Sequence, residues 1–217
     1  MDKAKVLLID DHPLLRQGMA QLINQESDLI LCGEAKDSAS AIEAVRRLAP
    51  DIAIVDLTLK DQSGTELIKQ LADAFPQLKM LVFSMHDEWL HAERALQSGA
   101  GGYIMKEEAP ERVLAAIRRV LAGETYLSER MSARILNRLV KGKAREEALP
   151  ITTLSDRELQ IFTLIGQGIS TREIAEQLSL SIKTIESHRE RIKDKLKLKN
   201  ATELLRYAMR YTHQTSL

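Results

Sequence analysis

Hydrophobic positions in the first half of the chain follow two alternating rhythms. Short unbroken apolar runs recur at Lys5 to Asp10 (KVLLID), Leu29 to Glu34, Ile52 to Leu57 (IAIVDL), Lys79 to Met85 and Gly102 to Lys106. Runs of this kind read as strands buried on both faces, where polar alternation has no place. Between them apolar residues return every three or four positions, as in Leu14, Leu15, Met19, Leu22 and Ile23, or Ala41, Ile42, Val45 and Leu48. The same period continues through Leu67, Ile68 and Leu71, then Leu90, Ala95 and Leu96, then Val113, Leu114, Ile117, Val120 and Leu121. It is the period of a helix with one covered side. Strict alternation of five strands with five helices predicts an α/β fold, a doubly wound five-stranded parallel sheet, over residues 1–124.

After Ser128 the strand rhythm stops. Residues 128–147 are helix-compatible and become strongly charged at VKGKAREEA before Pro150, which predicts a linker helix and tether over residues 125–150. Four further helical stretches follow, Ser155 to Gly166, Thr171 to Leu178, Ile182 to Leu196 and Ala201 to Tyr211, and predict a small all-α unit over residues 151–217. Ser155 and Glu158 have capping-box spacing, which marks a helix start.

Composition adds little to this, but charge adds something. At 217 residues the chain can bury two modest cores, and its single cysteine, Cys32 in LILCGE, cannot form an internal disulfide and is expected as a core thiol. No apolar stretch approaches the roughly 18 residues of a membrane helix, so no membrane role and a cytoplasmic location are expected. The formal charge of zero conceals an asymmetry. Residues 1–125 hold 14 Lys/Arg against 20 Asp/Glu, and residues 126–217 hold 17 against 11. An acidic front half suits cations, and a basic rear half is compatible with a polyanion.

Candidate chemistry lies where the apolar runs stop. Asp10 and Asp11 end one run and Asp56 sits near the end of another. In an open α/β sheet the carboxyl ends of the strands form the ligand crevice. Three acids there repel one another unless a hard cation such as Mg²⁺ sits among them. A carboxylate can also take up an activated phosphoryl group, provided a metal and cationic side chains neutralise the transferred oxygens. Asp56 is the candidate acceptor and metal ligand, Ser84 closes KMLVFS with a hydroxyl, and Lys106 closes GYIMK with an ammonium.

On LLIDDH, IVDLTLKDQSG, VFSMH and GYIMK, residues 4–124 resemble the receiver domain of bacterial two-component response regulators, which has the flavodoxin/CheY-like fold. The resemblance implies that a sensor histidine kinase phosphorylates Asp56 to an aspartylphosphate. It implies that Asp11, Asp56 and the Thr58 carbonyl bind Mg²⁺ directly, with Asp10 acting mainly through water. It also implies that Lys106 and Ser84 contact the phosphoryl oxygens, and that Tyr103 is the switch aromatic that follows Ser84. Thr58 and His86 flank the route by which water would reach the phosphoryl group. Two positions depart from the common pattern, Lys60 and Glu107, where many receivers carry proline.

In the rear unit Ile174, Ala175 and Leu178 form an apolar stripe on a short helix. Ile182, Ile185, Ile192 and Leu196 are expected to turn one side of the next helix inward. The other side then presents Lys183, Thr184, Glu186, Ser187, Glu190, Arg191 and Asp194, and residues 183–199 hold seven Lys/Arg against three Asp/Glu. Basic residues can gather phosphates and short polar side chains can reach base edges in a major groove. Arg157-Glu158-Leu159, Gly168, Glu173-Ile174-Ala175-x-x-Leu178 and Lys183-Thr184-Ile185-x-x-His188 resemble the LuxR-type helix-turn-helix of NarL/FixJ response regulators. That resemblance implies a recognition helix from Ile182 to about Leu196, with Lys183, Thr184, Glu186, Ser187, His188, Glu190 and Arg191 as its DNA-binding residues. It further implies a dimer contact on double-stranded DNA from Ala201 to Tyr211. Glu186 stands where many relatives have lysine, which leaves the operator sequence open.

Together these readings describe a phosphorylation-controlled transcription factor that acts as a homodimer when phosphorylated or on DNA. Beyond its own phosphoryl transfer and slow autodephosphorylation, no turnover enzyme is expected. A Mg²⁺-dependent aspartyl-phosphate phosphatase would require a further positioned acid or base beside Asp56. A small-molecule sensor would require an apolar cavity in place of crowded acids.

Overall fold

The structure is a computed structural model that describes residues 3–59, 62–140, 150–178 and 180–215. Lys60, noted above as a departure from the common pattern, and the charged tether at 141–149 lie outside the described residues. The chain divides into two compact units, residues 1–140 and 141–217.

In the first unit β1 (Ala4–Ile9), β2 (Leu29–Ala35), β3 (Ile52–Val55), β4 (Lys79–Ser84) and β5 (Gly102–Met105) form one parallel sheet in the order β2-β1-β3-β4-β5. The helices between them are α1 (Pro13–Asn24), α2 (Ser38–Leu48), α3 (Gly64–Ala74), α4 (Glu88–Gln97) and α5 (Pro110–Leu121). Side chains alternate across the pleat, so each inner strand feeds two cores. Val6, Leu8, Ile52, Ile54, Leu81 and Phe83 pack with Met19 and Ile23 of α1 and Val113, Ile117 and Val120 of α5. Leu7, Ile9, Ala53, Val55, Met80 and Val82 pack on the opposite side with α2, α3 and α4. This double covering is why the strands carry no polar alternation.

Four of the strands stop one or two residues earlier than their apolar runs suggest. Past the Ile9–Val55 pair the ladder between β1 and β3 ends, and Asp10 and Asp56 stand just outside it. Cys32, expected in the core, is only partly buried, because β2 is an edge strand.

Helix α6 (Glu129–Val140) packs on the first unit. Its Met131 is 2% exposed and belongs to the same core as α2, α3 and α4, with Leu127 and Ile135 packed against it. Leading into α6, Tyr126 pairs with the outer edge of β5: the Tyr103 amide donates to the Tyr126 carbonyl at 2.8 Å and the Tyr126 amide to the Gly101 carbonyl at 3.1 Å. Ser128 donates its amide to Glu88 at 2.8 Å, and the Arg134 guanidinium lies 3.9 Å from the Trp89 ring centre while hydrogen-bonding the Trp89 carbonyl at 3.1 Å.

In the second unit a short 3-10 turn (Pro150–Thr153) leads into α7 (Asp156–Gly166), α8 (Thr171–Gln177), α9 (Ile182–Leu196) and α10 (Ala201–Thr215). Both Ser155/Glu158 and Ser170/Glu173 form complete capping boxes, and Ser181 caps α9 through the Thr184 amide. Leu159, Phe162, Ile165, Ile174, Ile185, Ile192 and Leu204 fill the core. Ile182 departs from expectation: it is 49% exposed, because its place at the first position of α9 lies beyond the helices that cover Ile185. Glu158 is 3% exposed and accepts from the Ser155 amide at 2.7 Å and from Lys195 Nζ at 2.6 Å.

Candidate functional site

Because β1 and β3 end together, the residues just past them share one corner of the sheet. The Asp56 amide still donates to the Ile9 carbonyl at 2.9 Å and the Asp10 amide to the Ala35 carbonyl at 3.0 Å, so both acids leave from anchored backbone. Asp10, Asp11, His12 and Asp56 each bring a potential ligand atom within 4.8 Å of the others. Asp10 and Asp56 are 1% and 2% exposed, whereas Asp11, at 12%, lines the mouth. From the end of β5, Lys106 reaches across β4 and places Nζ 2.7 Å from Asp10 Oδ2 and 2.7 Å from Asp56 Oδ2. Burial pushes the Asp56 carboxyl up from its ordinary value, and the Lys106 ammonium pulls it back. Three carboxylates against one ammonium leave an oxygen-rich, negatively charged pocket, the donor chemistry that a hard, partly hydrated divalent cation takes.

A glycine lies against the Asp56 backbone. Gly64 opens α3 directly over the acceptor loop, its amide donating to the Leu57 carbonyl at 2.9 Å, and a β-carbon there would collide with the Asp56 carbonyl.

A second group gathers around His86, two residues past β4. Its amide donates to Ser84 Oγ at 3.1 Å, its carbonyl accepts from the Tyr103 hydroxyl at 2.8 Å, and its Nε2 lies 2.7 Å from Thr58 Oγ1. Its ring also rests on that of His91 of α4, with centres 4.9 Å apart. Ser84 and Tyr103 are fully buried, and burial pushes the Tyr103 phenol up. The Thr58 amide donates to Asp56 Oδ1 at 3.2 Å, so the two groups meet at Thr58.

The structure thus brings Asp10, Asp11, Asp56 and Lys106 together and joins Thr58, Ser84 and Tyr103 through His86. Sequence reasoning passed over His12. Its Nδ1 lies 3.0 Å from Asp10 Oδ1 and 2.9 Å from Asp11 Oδ1. The available signal was Pro13, which fixes the first turn of α1 and so makes His12 the residue before the helix.

On α9, Lys183, Glu186, Ser187, Glu190 and Arg191 are exposed along one side. Thr184 is half-buried and meets Ser181 Oγ at 2.7 Å through its hydroxyl. His188 points the other way: its Nδ1 is buried without a hydrogen bond, and its pKa is pushed down by burial and by Arg191. Within the second unit it faces Arg157 and Glu158 of α7.

Comparison with known proteins finds two family matches. Residues 6–118 match the response regulator receiver domain, and residues 152–208 match the bacterial regulatory proteins of the luxR family. The oxygen regulatory protein NreC of Staphylococcus aureus is 36% identical over 210 residues, which span 95% of this chain and 97% of that protein. Among solved structures, a LuxR-family two-component response regulator from Aurantimonas sp. SI85-9A1 is 32% identical with TM-score 0.59, over 64% of this chain and 99% of that one. RcsB from Salmonella enterica serovar Typhimurium, bound to promoter P1flhDC in the presence of the phosphomimetic BeF3⁻, is 28% identical with TM-score 0.58, over 95% of this chain and 98% of that one.

Proposed function

We propose a function on one premise: the chain belongs to the response regulators that join a receiver domain to a LuxR-type DNA-binding domain. A response regulator of this kind passes the state of a receiver to a transcription-regulating domain. Here Asp56 is the phospho-acceptor, a sensor histidine kinase is the donor, and α9 reads double-stranded DNA. The observation that carries this reading is the corner where nearly buried Asp56 meets Lys106 at 2.7 Å beside Asp10 and Asp11.

In the transfer step an Asp56 oxygen forms the bond to phosphorus. The bond from phosphorus to the donor imidazole nitrogen breaks, and its electron pair leaves with the nitrogen. Asp10, Asp11, Asp56 and the Thr58 carbonyl would hold Mg²⁺, which when bound neutralises charge on the transferred oxygens. Lys106, already 2.7 Å from Asp56, stays to contact one phosphoryl oxygen. Ser84 Oγ, which accepts from the His86 amide, can donate its own proton to another, and a turn of its side chain toward the phosphoryl group would strain the His86 amide and loosen the His86 carbonyl from Tyr103. The buried phenol then has reason to move, so a local charge becomes a change of packing at α4. Autodephosphorylation is slow because the Thr58–His86 contact lies over the approach of water. No turnover substrate is involved.

On DNA, exposed Lys183 and Arg191 gather phosphates, while Glu186 and Ser187 face base edges, Glu186 as an acceptor for cytosine N4. His188 supports α9 from within. RcsB has been solved on a promoter in the presence of a phosphomimetic and as dimers bound to DNA, which supports a homodimer here when the protein is phosphorylated or on DNA. A kinase donor and a DNA target support a cytoplasmic location.

The test is intact mass after treatment with acetyl phosphate and Mg²⁺. The native chain gains one phosphoryl mass, and Asp56→Ala gains none. A native chain that stays unmodified would sink the assignment.

A further inference from the structure

We propose that Arg16 is a positioning residue for the acid pair, setting the direction of Asp11 toward the cation by holding the Asp10–Asp11 peptide. The proposal rests on the reading of Asp10 and Asp11 as cation ligands.

The ladders that steady β1 end at Ile9 and Ala35, and the Asp10 amide makes the last bond to the sheet at the Ala35 carbonyl, so the Asp10–Asp11 peptide lies beyond it. This turn is tied again at two points. The His12 amide donates to Asp10 Oδ1 at 2.7 Å, and Arg16 Nη1 donates to the Asp10 carbonyl at 2.7 Å. Arg16 is placed for this by the first turn of α1, its own amide bonding the His12 carbonyl at 3.1 Å. Its guanidinium is 18% exposed and is held from the far side by Glu34, near the end of β2, with Nε donating to Oε2 at 2.9 Å.

The arrangement is a fork with two fixed acceptors, one on β2 and one in the acid turn. Rotation of the Asp10–Asp11 peptide would swing the Asp11 Cα–Cβ bond, and Asp11 is the acid at the pocket mouth, 12% exposed, with Oδ1 2.9 Å from His12 Nδ1. Repulsion among the three carboxylates favours that rotation. The hydrogen bond from Arg16 opposes that rotation. Glu34 balances the guanidinium charge, so Arg16 works through geometry and adds little to the field at the cation. An ammonium keeps the charge but cannot span both acceptors.

The experiment is calorimetric titration of Mg²⁺ into the full-length protein, with circular dichroism and thermal melting recorded on every variant. Arg16→Ala is expected to weaken Mg²⁺ about tenfold, in the range found when a group that orients a metal ligand is removed. Arg16→Lys is expected to stay close to Arg16→Ala. Glu34→Gln, which frees the guanidinium without removing it, is expected to fall between native and Arg16→Ala and serves on its own should Arg16→Ala not fold. A merely structural salt bridge would lower the melting temperature and leave the Mg²⁺ affinity of the folded protein unchanged. Native affinity in folded Arg16→Ala, or in Glu34→Gln if only that variant folds, would overturn the proposal. Full rescue by lysine would overturn its geometric form. Asp11→Ala separates the two levels: if it too binds Mg²⁺ like the native chain, the reading of the acid cluster has failed rather than the role of Arg16.

Discussion

Single residues set the site, and two show how little space they leave. Gly64 lies so close to the acceptor backbone that Gly64→Ala must push the Asp56 loop aside. Overpacking of this kind costs about 1–3 kcal/mol, measurable by urea unfolding, and phosphorylation by acetyl phosphate should slow more than that loss implies. Glu158 is the corresponding residue of the second unit. Burial alone would raise its carboxyl, but Lys195 and Ser155 together hold it below the ordinary 4.5. A folded value lower than the unfolded one means its stabilisation is present above the unfolded value and is lost as pH falls through the folded one. The second unit should therefore weaken below about pH 4.5, and Glu158→Gln should flatten that acid limb while lowering neutral stability by about 1–2 kcal/mol. Thermal melts across a pH series read both effects. The side chains that gather at the corner were legible as strand-end groups because each follows an apolar run. His12, Arg16 and the hub at His86 were not, since their partners depend on turns and on which way a helix faces.

Among the elements, strands were easier to read than helices. Val, Ile and Leu in unbroken runs have few other uses, but the runs continue past the last ladder rung, which is why the acids stand outside the strands. Helix α6 shows the opposite case. Its Met131 and Ile135 lie at a spacing that fits a free amphipathic helix as well as a docked one, and only the core beside α4 shows which applies. Removing a buried methionine side chain costs about 2–5 kcal/mol, so Met131→Ala should destabilise the first unit measurably in chemical denaturation. Trp89 is the chain's single tryptophan and carries Arg134 on its ring, which makes its emission a readout of α6 docking. Arg134→Ala should move that emission to longer wavelength as water replaces the guanidinium. An unchanged spectrum would mean that the stacking does not persist in solution. The inward side of α9 was legible at Ile185, Ile192 and Leu196 but not at Ile182, because hydropathy alone does not tell where neighbouring helices stop.

For the whole molecule, the division of charge anticipated the division of labour, since the acidic half holds the carboxylate corner and the basic half holds α9. Lys183→Ala should weaken binding to all DNA sequences alike and lower the log–log salt slope by about one unit per bound protomer. An unaltered slope in a salt titration would remove Lys183 from the phosphate contacts. The pairing of Tyr126 with β5 has a consequence of another kind. A bare strand border templates the addition of foreign strands, and here the polypeptide leaving the sheet covers the start of that border itself. A fragment cut after residue 124 would lose this cover and should scatter light on standing, whereas one cut after Val140 should remain clear. Clear solutions of the longer fragment alone would mark the exit segment as a shield for this border of the sheet.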